Sequence, residues 1–196
     1  MPPEITAITR AGEATPRTPA QARIVAAAVE LFAVHGVGGT SLQMIADTIG
    51  VTKAAVYHQF NTKEEIVLAV AEAELARLDA LVRVAEAERS RVRAREVLVD
   101  GIVDLAVERG RMLGAVQYDP VIVRFFARDQ TYRDVMNRMY RVLMGNDARP
   151  QSRTTAAMLT AAIAGAVMHP IVAELDDDSL RRELRHLARR FLGLPG

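Results

Sequence analysis

From residue 20 onward, apolar side chains return every three or four positions, and no stretch alternates apolar and polar residues as a half-buried strand would. Over 20–35, Ile24, Ala27, Ala28, Leu31 and Phe32 form one stripe, with Pro19 suited to a first helical turn and Gly36 to a left-handed stop. Leu42, Ile45, Ala46 and Ile49 form a shorter stripe, preceded by a capping-box spacing at Thr40 and Gln43 and closed by Gly50. Thr52 is placed to cap a third helix running to about His58. Asn61 with Glu64, or Thr62 with Glu65, offers a cap for a long fourth helix to about Glu88, lined by Ile66, Val70, Leu75, Leu78 and Leu81.

The same period predicts a helix over 96–108, then a short helical turn between Gly110 and Gly114, and a helix opened by Asp119-Pro120 that reaches Met144. Residues 145–152 read as a loop, and an Ala-rich helix follows over 154–169 until Pro170 stops it. Asp178 is expected to cap a last helix to Leu192, with Leu180, Leu184, Leu187, Ala188 and Phe191 on one face and Arg181, Arg182, Arg185 and Arg189 on the other. The predicted fold class is all-α. Residues 1–18 hold Pro2, Pro3 and Pro16 and no helical period, so they are expected to be an arm outside the fold.

Composition narrows the chemistry. Half of the 196 residues are hydrophobic, enough for a sizeable core. The absence of cysteine removes disulfides, thiolate metal sites and thiol nucleophiles, and fits a reducing cytoplasm. No basic segment leads into an apolar one at the start, and the longest apolar run, Ala156 to Met168, is too short to span a bilayer, so a cytoplasmic protein without a membrane partner is expected. A net charge of +1 leaves a nucleic-acid partner open, because binding depends on local charge. The four histidines, His35, His58, His169 and His186, are too scattered for a metal site. Neither a Ser/His/Asp set nor a glycine-rich phosphate loop is present, so no enzyme and no cofactor is expected.

One constellation is specific. A helix-turn-helix needs a small residue where two helices cross, a glycine at the turn, and apolar residues holding the second helix against the first. Over 42–61, Ala46, Gly50 and Val56 occupy those places in order, with Ile45, Ile49 and Val51 inside. Thr52, Lys53, Ala54, Ala55, Tyr57 and His58 are then left to face outward, a mixture suited to a DNA major groove. Lys53 suits a phosphate or a guanine edge, the alanine methyls suit a thymine methyl, and Tyr57 and His58 suit phosphate oxygens. Lys63, at the start of the fourth helix, adds its charge to free backbone N–H groups and is expected to meet a phosphate; Thr40, Ser41 and Gln43 are expected beside the same strand. The two lysines of the chain, Lys53 and Lys63, both fall in this region.

At these residues a family resemblance appears. Ala27-Ala28, Leu31-Phe32, Gly36, Thr40-Ser41, Ile45-Ala46, Gly50-Val51, Lys53, Val56-Tyr57, Phe60 and Lys63-Glu64-Glu65 together resemble the amino-terminal domain of TetR-family repressors. Two places depart from the family's habit: Ala54 stands where members often have glycine, and Gln59 where many have histidine. The resemblance implies about nine helices, a DNA-binding domain over 19–66, and a ligand-binding and dimerisation domain over 67–196. It also implies a repressor that binds a palindromic operator in double-stranded DNA as a homodimer and is released by a small-molecule effector.

In the second domain, Met112, Tyr118, Phe125, Phe126, Tyr132, Met136, Met139 and Tyr140 are ordinary core material one by one; as a set they suit a pocket for a lipophilic effector. Arg124, Arg128 and Arg133, interleaved with Asp129 and Asp134, read as a solvated face. Met158, Leu159, Ala162, Ile163 and Ala166, with Leu184, Leu187 and Phe191, either complete the subunit core or, as the resemblance implies, form a dimer interface. An all-helical interaction protein without DNA binding is the competing reading, and it leaves Lys53 and Tyr57 without a role.

Overall fold

In the computed structural model the described residues are 17–116, 119–147 and 149–194, the side chains of 111–116 excepted. Among them the chain is all-α: α1 (Pro19–Gly39), α2 (Leu42–Ile49), α3 (Lys53–Gln59), α4 (Lys63–Glu86), α5 (Arg91–Val116), α6 (Pro120–Arg128), α7 (Gln130–Met144), α8 (Pro150–Ala166) and α9 (Asp177–Phe191), with a 3-10 turn at Pro170–Val172. The expected arm lies, up to residue 16, outside the described residues.

Side-chain caps set most of the helix starts. At α1, Thr18 Oγ1 accepts from the Gln21 N–H and the Gln21 side chain accepts from the Thr18 N–H, with Pro19 in the first turn. Gly36 adopts φ 69°, as expected, yet it kinks α1 rather than ending it, and one more turn runs to Gly39. Ser41, not Thr40, caps α2 by accepting from the Met44 N–H. At α4, Thr62 Oγ1 accepts from the Glu65 N–H while the Glu65 carboxylate reaches back to the Asn61 N–H at 2.8 Å.

Several expected boundaries move in the second half. α5 starts at Arg91 instead of 96 and runs unbroken through Gly110 and Gly114. A Cβ at Gly110 would lie 2.5 Å from Val167 Cγ2, so that glycine allows the α5–α8 crossing instead of stopping a helix. The helix expected from Pro120 to Met144 breaks at Asp129, whose backbone is extended (ψ 124°) and whose carboxylate accepts from the Tyr132 N–H at 2.6 Å. α8 starts at Pro150, four residues early, and the cap of α9 is Asp176 rather than Asp178.

Two hydrophobic cores result. The first gathers Ile24, Ala28, Phe32, Ile45, Ala46, Val56, Ile66 and Val70 from α1–α4, and Ile122 of α6 joins it from the other half of the chain. The second gathers Leu75, Val82, Leu98, Val103, Val135, Leu143, Leu159, Ile163 and Leu184 from α4, α5 and α7–α9. α4 therefore contributes to both cores. α1 is itself apolar and long enough to cross a bilayer (mean hydropathy 1.4), longer than the run at 156–168; its inner face, with Ile24, Ala28 and Phe32, is packed in the first core.

Charged pairs tie the second core together. Arg138 of α7 donates to Asp79 and to Glu86 (2.6 Å) on α4, while Arg189 and Arg185 of α9 donate to Asp100 (2.7 Å) and Asp104 (2.5 Å) on α5. Burial pushes the Asp79 carboxyl up, but hydrogen bonds from Arg83 and Arg138 outweigh it and hold Asp79 below the usual carboxylate range. The Arg138 hydrogen bond does the same for Glu86.

Candidate nucleic-acid interface

The turn between α2 and α3 is built around Gly50. Its backbone sits in the left-handed region (φ 69°, ψ 38°), where a Cβ is strained, and this lets the Val51 N–H reach back to the Ala46 carbonyl at 3.0 Å. Ala46 and Val56 are both fully buried, so α2 and α3 meet closely at the small side chain and α3 is pinned by the valine. Thr52 caps α3 by accepting from the Ala55 N–H at 3.1 Å. Arg23 donates to the Ile49 carbonyl at 2.9 Å, tying α1 to the end of α2, and Thr18 reaches Gln59 at 3.4 Å. These two tethers join residues far apart in sequence, and no local pattern announces them.

Around that buried valine, Thr52, Lys53, Ala54, Ala55, Tyr57 and His58 are all exposed. The Lys53 ammonium lies 5.6 Å from the centre of the Tyr57 ring, a cation–π distance that holds both side chains on one ridge. On α2, Ser41 and Gln43 are exposed; the Ser41 hydroxyl is engaged as the cap, and the Gln43 amide donates to Asp47 at 2.7 Å.

Two expected contacts are placed differently. Thr40 is buried, and its hydroxyl donates to the Gly36 carbonyl at 2.8 Å, because the kink at Gly36 leaves that oxygen without a helical partner. Lys63 is half-buried and donates to the carbonyls of Val37 (2.9 Å) and Thr40 (3.2 Å). Its charge closes the exposed carbonyl end of α1 instead of pointing free at a phosphate.

The expected effector residues gather only in part. Phe126 stacks on Tyr132 across the Asp129 break (centroids 4.3 Å apart), with Phe125 5.6 Å from Phe126. Burial, with Tyr140 nearby, pushes the Tyr132 hydroxyl pKa up. Met139 belongs to the second core, where Tyr132, Met136 and Tyr140 pack against it. An open cleft of about 700 Å³ has Tyr140 in its wall and none of the other expected residues. The Met112 side chain and Tyr118 lie outside the described residues. Glu74 of α4, which the sequence reading passed over, is a desolvated acid: burial raises its carboxyl against the pull of Arg109 and Arg77.

The expected dimer residues divide. Leu159, Ile163 and Leu184 are in the subunit core, and Ala166 is half-buried against it, because α8 and α9 both pack that side towards α5. Met158, Ala162, Leu187 and Phe191 face outward, Leu187 at 57% exposure and Phe191 at 50%.

Residues 24–70 match the family described as "Bacterial regulatory proteins, tetR family". The chain is 40% identical over 68 residues to the HTH-type transcriptional regulator TtgR of Pseudomonas putida, a match covering 35% of this chain and 32% of that protein. It is 48% identical over 48 residues to the HTH-type transcriptional regulator SrpR of Pseudomonas putida, covering 24% and 22%. These matches span about a third of the relatives' length or less. In fold, the chain resembles a bacterial regulatory protein in the tetR family from Rhodococcus RHA1, with a TM-score of 0.72, 21% identity, and coverage of 92% of this chain and 100% of that one.

Proposed function

Residues 24–70 form a tetR-family domain on a body that shares the all-helical tetR fold, and from that premise we propose that this protein is a sequence-specific, DNA-binding transcriptional regulator of the repressor type. The observation that carries the proposal is the division of α3: Val56 is fully buried while Thr52, Lys53, Ala54, Ala55, Tyr57 and His58 are exposed along one edge. That edge has the donors, methyls and cationic charge that a major groove and its phosphates take up. Ser41 and Gln43 lie at the start of α2, beside the same groove. A mobility shift of the full chain on the DNA upstream of its own gene tests this. A retarded band that survives excess nonspecific duplex is expected, and its absence would refute the reading.

The operator is a palindrome read by a homodimer. The outward residues Met158, Ala162, Leu187 and Phe191 on adjoining helices α8 and α9 supply a self-complementary apolar patch, so two copies would make a four-helix interface. Light scattering at micromolar concentration should give twice the subunit mass; a monomer would remove this part. Such a regulator acts in the cytoplasm on double-stranded DNA.

Release by a small, lipophilic effector is supported by the way α6 joins the two cores. Ile122 is buried among the residues of α1–α4, while Phe126, one turn on, stacks against Tyr132 of α7. A ligand that repacks Phe125, Phe126, Tyr132, Met136 or Tyr140 therefore acts on a helix whose other end is lodged in the DNA-binding domain. Linkage requires that effector and operator weaken each other's binding by the same factor, which calorimetry in the presence and absence of operator measures.

A further inference from the structure

Between the second half of α7 and the first turn of α8 lies the open cleft of about 700 Å³, a volume within the roughly 300–1,000 Å³ usual for small-molecule sites. Its wall is apolar over most of its area but carries several charged side chains, which divide by whether they already have partners. Arg138 is held by Asp79 and Glu86. Asp147 accepts from Arg149 at 2.6 Å and from Ser152 at 2.7 Å, which together hold its carboxyl well below the usual range. Asp134 accepts from the Gln130 amide at 2.8 Å.

Arg141 and Arg153 stand apart from that pattern. Both are exposed and line the cleft, one from each helix, and among the described residues neither guanidinium has a hydrogen bond or an ion pair, although the Glu86 carboxylate is near enough to feel the charge of Arg141. The amides of Asn137 and Asn146 and the Tyr140 hydroxyl in the same walls are likewise without partners among the described residues. The floor is fixed: Gly145 has φ 72°, and the Arg91 guanidinium sits where a Cβ would be, 2.5 Å away, while donating to the Met144 carbonyl at 2.9 Å. A smaller hollow of about 370 Å³ adjoins it and shares Arg141 and Asn146.

We infer that this cleft is a binding site for a small organic polyanion, a molecule with at least two phosphate or carboxylate groups, gripped by Arg141 of α7 and Arg153 of α8. Two guanidinium forks facing one space take two anionic groups, each by paired N–H donors, and the amides and the phenol complete the coordination of the remaining oxygens. A purely apolar molecule would engage none of these donors. The site is separate from α3 and from the apolar patch on α8 and α9, and it does not depend on the DNA-binding reading.

Calorimetric titration of the full chain with pyrophosphate, and separately with citrate, at constant ionic strength tests it. For at least one of the two probes, saturable binding of one molecule per chain is expected, weakened about tenfold or more in Arg141→Ala/Arg153→Ala and unchanged in Lys53→Ala. Both substituted arginines are exposed, so the variant should keep its circular dichroism spectrum. The inference is overturned by the absence of saturable heat at millimolar concentrations of both probes, by equal affinity in the double variant, or by loss of binding in Lys53→Ala, which would place the anion on the DNA-facing edge.

Discussion

The region of α1–α3 with the start of α4 and the body of α5–α9 lean on different devices. In the first, serine and threonine caps at Ser41, Thr52 and Thr62 and a left-handed glycine at Gly50 frame a small fully buried core, with the Arg23 and Thr18 tethers across it. The body is assembled from distant pairs, Arg138 with Asp79 and Glu86, Arg189 with Asp100, Arg185 with Asp104, and from glycine crossings such as Gly110 against Val167. The family match at residues 24–70 lies in the first part, while the likeness in fold extends over 92% of the chain. On the proposed function the difference has a physical reason: a domain that must fit the fixed dimensions of duplex DNA tolerates few residue choices, whereas a body that only has to hold two such domains tolerates many.

Breaking the small core should give the largest effect. Val56→Asp places an unpaired carboxylate in a fully buried position, a cost above about 3 kcal/mol. DNA binding should be lost while the body melts as before, and calorimetric scanning should resolve the two parts. Ile122→Ala removes the fully buried side chain that α6 lends to the first core beside the partly buried Phe126, at about 2–4 kcal/mol. Destabilisation read from the α1–α4 amides by hydrogen exchange would mark α6 as a physical link between the regions; protection changes confined to the body would deny it.

The body's clamps should respond more weakly and with pH. Arg138→Ala strands Asp79 and Glu86, all three partly exposed, and should cost about 1–2 kcal/mol at neutral pH after solvent screening. Both carboxyls have lowered pKa values in the folded chain. Their contribution is therefore complete above the ordinary carboxylate range and fades as pH falls through the lowered values. Thermal denaturation from pH 7 down to 3 should show wild type losing stability that the variant has already lost.

The smallest effect separates the two lysines. Lys53→Ala should weaken binding to every duplex and reduce the salt slope by about 1. Lys63→Ala, because that ammonium is engaged by the Val37 and Thr40 carbonyls, should cost about 1 kcal/mol of folding stability and leave the salt slope unchanged. A reduced slope for Lys63→Ala would show that its third N–H still meets a phosphate.

What was legible in the sequence follows the same division. Ala46, Gly50 and Val56, the Thr52 cap and the outward residues of α3 could be read because each depends on neighbours within a turn or two. Thr40 and Lys63 could not, since their partners are carbonyls exposed by the kink at Gly36, which the stripe over 20–35 did not foretell. In the body, the break at Asp129 is made by one side chain capping its own next turn, invisible to a helical period that continues on both sides. Leu159, Ile163 and Leu184 have the composition of an interface and the location of a core, and only the packing of α8 and α9 on α5 decides between them. Arg141 and Arg153 offered no signal at all, because what singles them out, guanidiniums without a hydrogen-bonded acid among the described residues, is decided only in three dimensions.

The central claim is that the exposed edge of α3 reads a duplex. Fluorescence anisotropy should be measured on a labelled fragment of the upstream region and on a scrambled duplex of equal composition, with wild type and Lys53→Ala/Tyr57→Ala at one salt concentration. The account predicts a preference of about a thousandfold or more for the upstream fragment, with both duplexes bound more weakly by the double variant. Equal affinity of wild type for both duplexes, or an unchanged affinity in the variant, would contradict it.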